Sequence, residues 1–127
     1  MKKRNILIVD DNPMNMKLVR VLLVGEGYDV RTAADALEAL NILKEWRPLL
    51  ILMDIQLPGI DGLELTRRLK ADSATDQILI IGLTAYAMKG DEERILAAGC
   101  DAYIAKPIDT RTLPGFIATL IEKSSRL

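Results

Sequence analysis

The chain has 127 residues, half of them hydrophobic, which is enough for one core and leaves little room for a second domain. Seventeen basic and 18 acidic residues give a formal net charge of −1, so electrostatics makes no case for nucleic acid or an anionic membrane as a partner. There is no histidine and one cysteine, which excludes His-based general base catalysis, His metal ligands, a phosphohistidine on this chain and an internal disulfide.

The apolar run behind the basic "MKKRN" start, Ile6 to Val9, is too short for a signal-peptide core of roughly 7–15 residues. No run reaches the roughly 18 apolar residues of a membrane span. Cys100 follows Gly99 at an expected helix end and reads as a small packed thiol, with a reducing cytoplasm as the matching location.

In chain order, "ILIV" (6–9) reads as a strand covered on both faces, because its apolar residues are continuous and do not alternate. "NMKLVRVLLVGEG" follows at helical spacing and stops at Gly25 and Gly27. Met14 and Met16 open this helix; at spacing two they cannot both face inward, which leaves one near the strand end as a candidate docking residue. "YDVRTA" (28–33) is a weaker strand. "DALEALNILKEW" repeats Leu37, Leu40 and Leu43 and closes before Pro48, with Trp46 packing at its end. "LLILM" (49–53) is the central strand, and "DGLELTRRLKAD" the next helix. Gly59 and Gly62 read as turn residues. "ILIIGL" (78–83) is a strand. "KGDEERILAAG" carries acids in its first turn and ends at Gly99, a C′ residue. "AYIA" (102–105) is the last strand. In "TLPGFIATLIEK" Leu113, Phe116, Ile117, Leu120 and Ile121 share a stripe, and Pro114 must sit in the first turn. A strand–helix pair repeated five times predicts a doubly wound α/β fold, a five-stranded parallel sheet with helices on both faces. Residues 1–127 are then one domain, and the Met1 start with the short "KSSRL" tail suggests a free-standing protein.

Ligands of such sheets gather beyond the carboxyl ends of the strands. Asp10 and Asp11 follow the first strand, Asp54 the third, Thr84 the fourth and Lys106 the fifth. An acid at one strand end is ordinarily turn chemistry. Three carboxylates, a hydroxyl and an amine on one edge are not explained that way. Clustered carboxylates need a cation, and an all-oxygen set suits Mg²⁺. Asp54 stands alone at the end of the central apolar strand and is the candidate nucleophile. Asp10 and Asp11 form the pair suited to the metal. Lys106 and Thr84 complete a phosphoryl-transfer site.

The segments "ILIVDDN", "LLILMDIQLPGIDGLEL" and "GLTAYAMKGDEERILAAGCDAYIAKPID" resemble the receiver domain of two-component response regulators over nearly the whole chain. They are most similar to single-domain receivers of the cell-division type and to receivers fused to hybrid histidine kinases. The resemblance implies a flavodoxin-like (βα)5 receiver fold with Asp54 as phosphoacceptor. It implies Asp10, Asp11, Asp54 and the Gln56 backbone carbonyl around Mg²⁺, Thr84 and Tyr103 as switch residues, Lys106 as the phosphate-binding lysine and a cis Lys106–Pro107 bond. It implies a sensor or hybrid histidine kinase, or a phosphotransfer protein, as phosphodonor, and a protein as downstream target. Tyr86 would help to set access to Asp54. On its own position Tyr103 also reads as a core aromatic of a strand.

The expected role is a signalling module and not an enzyme, with at most slow hydrolysis of its own aspartyl phosphate. A haloacid-dehalogenase-type phosphatase also uses a strand-end aspartate, a threonine, a lysine and Mg²⁺. It needs an aspartate two residues after the nucleophile, where this chain has Gln56, which cannot serve as general acid. A flavin-binding domain lacks support because no Ser/Thr/Gly-rich phosphate loop follows the first strand. Direct DNA contact is disfavoured for want of a helix-turn-helix segment or a basic patch.

Overall fold

The computed structural model describes residues 4–57, 61–85 and 90–125. Five strand–helix pairs alternate: β1 (Asn5–Val9), α1 (Pro13–Gly25), β2 (Asp29–Ala33), α2 (Ala36–Glu45), β3 (Leu50–Asp54), α3 (Gly62–Ala71), β4 (Leu79–Thr84), α4 (Asp91–Ala97), β5 (Ala102–Ala105) and α5 (Leu113–Ser125). All strands are parallel, in the order β2-β1-β3-β4-β5. The chain reverses its direction of travel across the sheet between β1 and β3, where folds of this kind open a crevice.

Every residue of β3 and β4 is buried, as their continuous apolar runs require. Alternate residues serve two cores. Ile6, Ile8, Leu50, Leu52 and Ile81 pack against Val19 and Leu23 of α1 and Leu113, Ile117 and Ile121 of α5. Leu7, Val9, Ile51, Met53 and Ile80 pack against α2, α3 and α4. Each buried leucine or isoleucine contributes about 1.5–3 kcal/mol.

The helices start where their caps lie. The Asn12 side chain accepts the amides of Met14 (3.0 Å) and Asn15 (3.1 Å), with Pro13 in the first helical position. Asp35 and Asp61 cap α2 and α3. Pro114 sits in the first turn of α5. Gly99, with φ of 113°, ends α4 in the left-handed conformation.

Some apolar stripes turn differently from a simple leucine count. Val19 and Leu23 face the core from α1, while Leu18 faces outward. Leu37 on α2 is 70% exposed, and Phe116 on α5 is partly so. Met14 is 82% exposed, whereas Met16 packs against the core. Trp46 closes α2 and lies under Arg31, whose guanidinium carbon is 4.8 Å from the ring centroid. Among the described residues, no helix is long and apolar enough to cross a membrane.

Candidate functional site

The register of the sheet assembles the site. Ile8 pairs with Leu52 and Val9 with Met53, so Asp10 stands one step beyond β1 opposite Asp54 at the end of β3. Thr84 pairs with Ala105, which places Lys106 just past it. The Lys106 amide donates to the Thr84 carbonyl at 2.7 Å and fixes that step, and the Lys106–Pro107 bond is cis.

Asp10 and Asp54 are each 2% exposed, and Thr84 is also buried. A buried carboxylate is costly unless it is hydrogen-bonded and paired. Asp54 meets both conditions: the Gln56 amide donates to one carboxylate oxygen at 3.0 Å, and Lys106 Nζ lies 3.1 Å from the other. Asp10 accepts the Asn12 amide at 2.9 Å, and its other oxygen is 3.8 Å from the same Nζ. Burial pushes the Asp10 carboxyl above its ordinary value of 3.8, and the Asp54 charge adds to this; the Asn12 amide and Lys106 oppose it. Asp11 is exposed, and one carboxylate oxygen each from Asp10, Asp11 and Asp54 lie within 4.8 Å of one another. Among the described residues, Lys106 is the lysine beside these two buried carboxyl groups and one exposed one, so the cluster is rich in oxygen donors and short of positive charge. That is the donor chemistry of a Mg²⁺ site with an open side toward solvent.

Thr84 ends β4 at the same carboxyl edge, one step beyond the Asp54–Leu83 pair. Ile80, Gly82 and Thr84 alternate along β4 onto the face covered by α3 and α4, and Tyr103 pairs with Gly82 and packs against that same core. A cavity of about 210 Å³ adjoins Thr84, lined by Ile55, Asp61, Leu63, Arg94 and Ile95. The Glu92 carboxylate of α4 lies near enough to the Tyr103 hydroxyl to hold the phenol above its ordinary value.

Asp10, Asp11 and Asp54 come together, with Lys106 beside Asp10 and Asp54; Gln56, expected to offer its carbonyl to the metal, donates its amide to Asp54; and Thr84 and Tyr103 share the adjacent face. Tyr86 and Gly59 lie outside the described residues. Gly62 is more than a turn residue. A Cβ there would collide with the Asp54 carbonyl oxygen and come within 2.8 Å of the Ile55 Cα. The α3 N-terminus therefore rests directly on the backbone of Asp54, and its Gly62 amide donates to the Ile55 carbonyl at 3.0 Å. Only the "PGIDG" spacing behind Asp54 hints at this in the sequence.

A doubly wound five-stranded sheet with this constellation on its carboxyl edge defines the receiver modules of two-component signalling. The chain belongs to the response regulator receiver domain family, which matches residues 6–118. It is 51% identical over 117 residues to the polar-differentiation response regulator DivK of Brucella anthropi, covering 92% of this chain and 93% of that one. A CheY-like receiver domain protein from Methanospirillum hungatei superposes with a TM-score of 0.90 at 33% identity, over 98% of both chains. The receiver domain of a sensor histidine kinase from Pseudomonas aeruginosa, solved with a magnesium ion coordinated in its active-site cleft, gives 0.85 at 36% identity, over 95% of this chain and 99% of that one.

Proposed function

We propose that this chain is a single-domain phosphorylation switch, residues 1–127, that accepts a phosphoryl group on Asp54 and changes its affinity for a protein target. The observation that carries the reading is the state of Asp54: a buried carboxylate, held by an amide and a lysine, within reach of two further carboxylates. Asp10, Asp11 and Asp54, with the Gln56 carbonyl, would hold Mg²⁺, as the family's chemistry requires. The bound ion would neutralise the charge that develops on the phosphoryl oxygens.

An Asp54 carboxylate oxygen attacks phosphorus in a phosphohistidine of a partner. An O–P bond forms, the N–P bond breaks, and the imidazole leaves and takes up a proton from water. The absence of histidine from this chain fits a donor in trans. Lys106 follows the charge from the carboxylate to the phosphoryl oxygens. The donor is a sensor or hybrid histidine kinase or a phosphotransfer protein. Its docking surface on this chain is α1, where Met14, Leu18 and Val21 form an exposed apolar stripe. A groove of about 420 Å³ bounded by Leu18, Lys106, Pro107 and Ile108 runs from that stripe to the site. Thr84 and Tyr103 carry the response. The protein is cytoplasmic and is not a turnover enzyme. A phosphatase reading lacks its second acid, because Gln56 occupies that position.

Incubation with acetyl phosphate and Mg²⁺ tests this. Wild type should gain one phosphoryl group, labile in base, and gain none when Mg²⁺ is chelated. Uptake independent of Mg²⁺ contradicts the metal assignment. A phosphotransfer profile against the histidine kinases of its own cell then identifies the donor.

A further inference from the structure

Helix α4 is fastened at one end and nearly bare at the other. The side chains that bury it are Ile95, Ala98 and Cys100, in its second half and the turn behind it. Glu92, Glu93 and Arg94 are exposed. Its N-cap, Gly90, has φ of 105°, offers no side-chain cap and would leave a Cβ in open space. Near this end, Glu92 faces the side of Tyr103, whose phenol it holds above its ordinary value.

The opposite end is locked. The Gly99 amide donates to the Leu96 carbonyl at 3.1 Å and the Cys100 amide to that of Ile95 at 3.3 Å. A Cβ on Gly99 would lie 2.8 Å from Lys70 Cγ, so the stem of Lys70, from α3, lies flat against this turn. The Lys70 ammonium donates to the Ile78 carbonyl at 2.8 Å, to Asp101 Oδ2 at 3.0 Å and to the Asp76 carbonyl at 3.3 Å. These acceptors match its three N–H donors. Asp101 Oδ2 also accepts the Ile80 amide at 2.8 Å, and the Asp101 amide returns to the Ile80 carbonyl at 2.8 Å. One lysine thus ties α3, the segment before β4 and the segment before β5 beneath the C-terminus of α4.

We propose that Lys70 is the pivot of α4: it holds the Gly99–Asp101 turn still, so that displacement on the Thr84 side swings the first turn, with Glu92. A helix of this length is about 10 Å long, so a turn of about 10° about one fixed end moves the other by about 2 Å. With the pivot loose, the same push shifts the whole helix and the rotation is lost. Lys70 lies at the amino ends of the strands, away from Asp54, and is a positioning residue. The trigger rests on the proposed phosphorylation of Asp54; the pivot does not.

The test is backbone amide NMR on wild type, Lys70→Met and Asp101→Asn, with and without acetyl phosphate and Mg²⁺. Lys70→Met keeps the stem over Gly99 and removes all three donors; Asp101→Asn removes the ion pair and keeps an acceptor for Ile80. In wild type, phosphorylation should shift the amides of 92–94 and leave those of 99–101 nearly unmoved. In Lys70→Met, phosphoryl uptake measured by mass should match wild type, while the shifts should shrink at 92–94 and spread to 99–101; Asp101→Asn should do the same more weakly. Wild-type shifts as large at 99–101 as at 92–94, or a Lys70→Met response identical to wild type, would overturn the pivot. If wild type takes up no phosphoryl group, the trigger reading fails, and hydrogen exchange still decides the pivot. Exchange of the Gly99, Cys100 and Asp101 amides should rise about tenfold in Lys70→Met through easier local opening, and unchanged exchange rejects it.

Discussion

Asp10 and Asp54 are as buried as the leucines around them, yet among the described residues one lysine, Lys106, faces the pair. The raised Asp10 carboxyl carries a consequence for pH. The folded chain holds this proton more tightly than the unfolded chain does, so the contribution is fully present below the ordinary value of 3.8 and is lost as pH rises through the raised value. Asp10→Asn should therefore flatten the metal-free stability curve over that window and raise the melting temperature near neutral pH, as calorimetry would read. A melting temperature lower than wild type at neutral pH would contradict the strain. Gly62 makes a separate prediction. Any side chain there must push on the carbonyl of Asp54. Gly62→Ala should cost about 1–3 kcal/mol, typical of overpacking, and should slow phosphoryl uptake as well. Destabilisation with an unchanged uptake rate would mean that the α3 contact supports the fold without positioning Asp54.

At the scale of elements, β4 links chemistry to surface. Thr84 ends the strand beside Asp54, and Tyr103 packs on the same face next to α4. Moving the Thr84 hydroxyl toward a phosphoryl oxygen alters the space that α4 and the Tyr103 ring can occupy, a two-state element biased by a local charge. Thr84→Ala should still take up phosphate on Asp54, since the nucleophile, Lys106 and the acidic pair remain. It should lose most of the phosphorylation-linked change in the amides of β5 and α4, a coupling typically of about 1–3 kcal/mol. An undiminished response in Thr84→Ala refutes this route while leaving Asp54 untouched. The elements themselves were legible in the sequence. Continuous apolar runs mark four of the strands and the weaker "YDVRTA" segment the other, and Gly99 and Pro114 mark helix ends. Which face each helix buries was less legible. Leu18, Leu37 and Phe116 have the right spacing and yet face outward or stay partly exposed, because neighbours such as Val19 and Leu43 already fill the core side. Spacing gives a stripe but not its orientation around the helix axis.

For the whole molecule, the cluster of Asp10, Asp11, Asp54 and Lys106 was readable because charged residues follow strands whose shared polarity brings their ends together. The supporting contacts were not readable, since they join residues far apart in the chain. Gly62 against Asp54 and Lys70 beneath Gly99 depend on where α3 sits over the sheet. Metal should stabilise the whole fold by linkage, by about 2.7 kcal/mol when free Mg²⁺ is 100 times its Kd. Asp11→Ala should weaken that gain in a melting series with Mg²⁺, and a wild-type melting temperature indifferent to millimolar Mg²⁺ would count against a metal site. The central claim is the identity of the phosphoacceptor. After incubation with acetyl phosphate and Mg²⁺, borohydride reduces an acyl phosphate to an alcohol, and peptide mass spectrometry locates it. The account predicts that residue 54 is found as homoserine in wild type, with no reduced site in Asp54→Asn. Reduction at Asp10 or Asp11 in wild type, or equal labelling of Asp54→Asn, would contradict it.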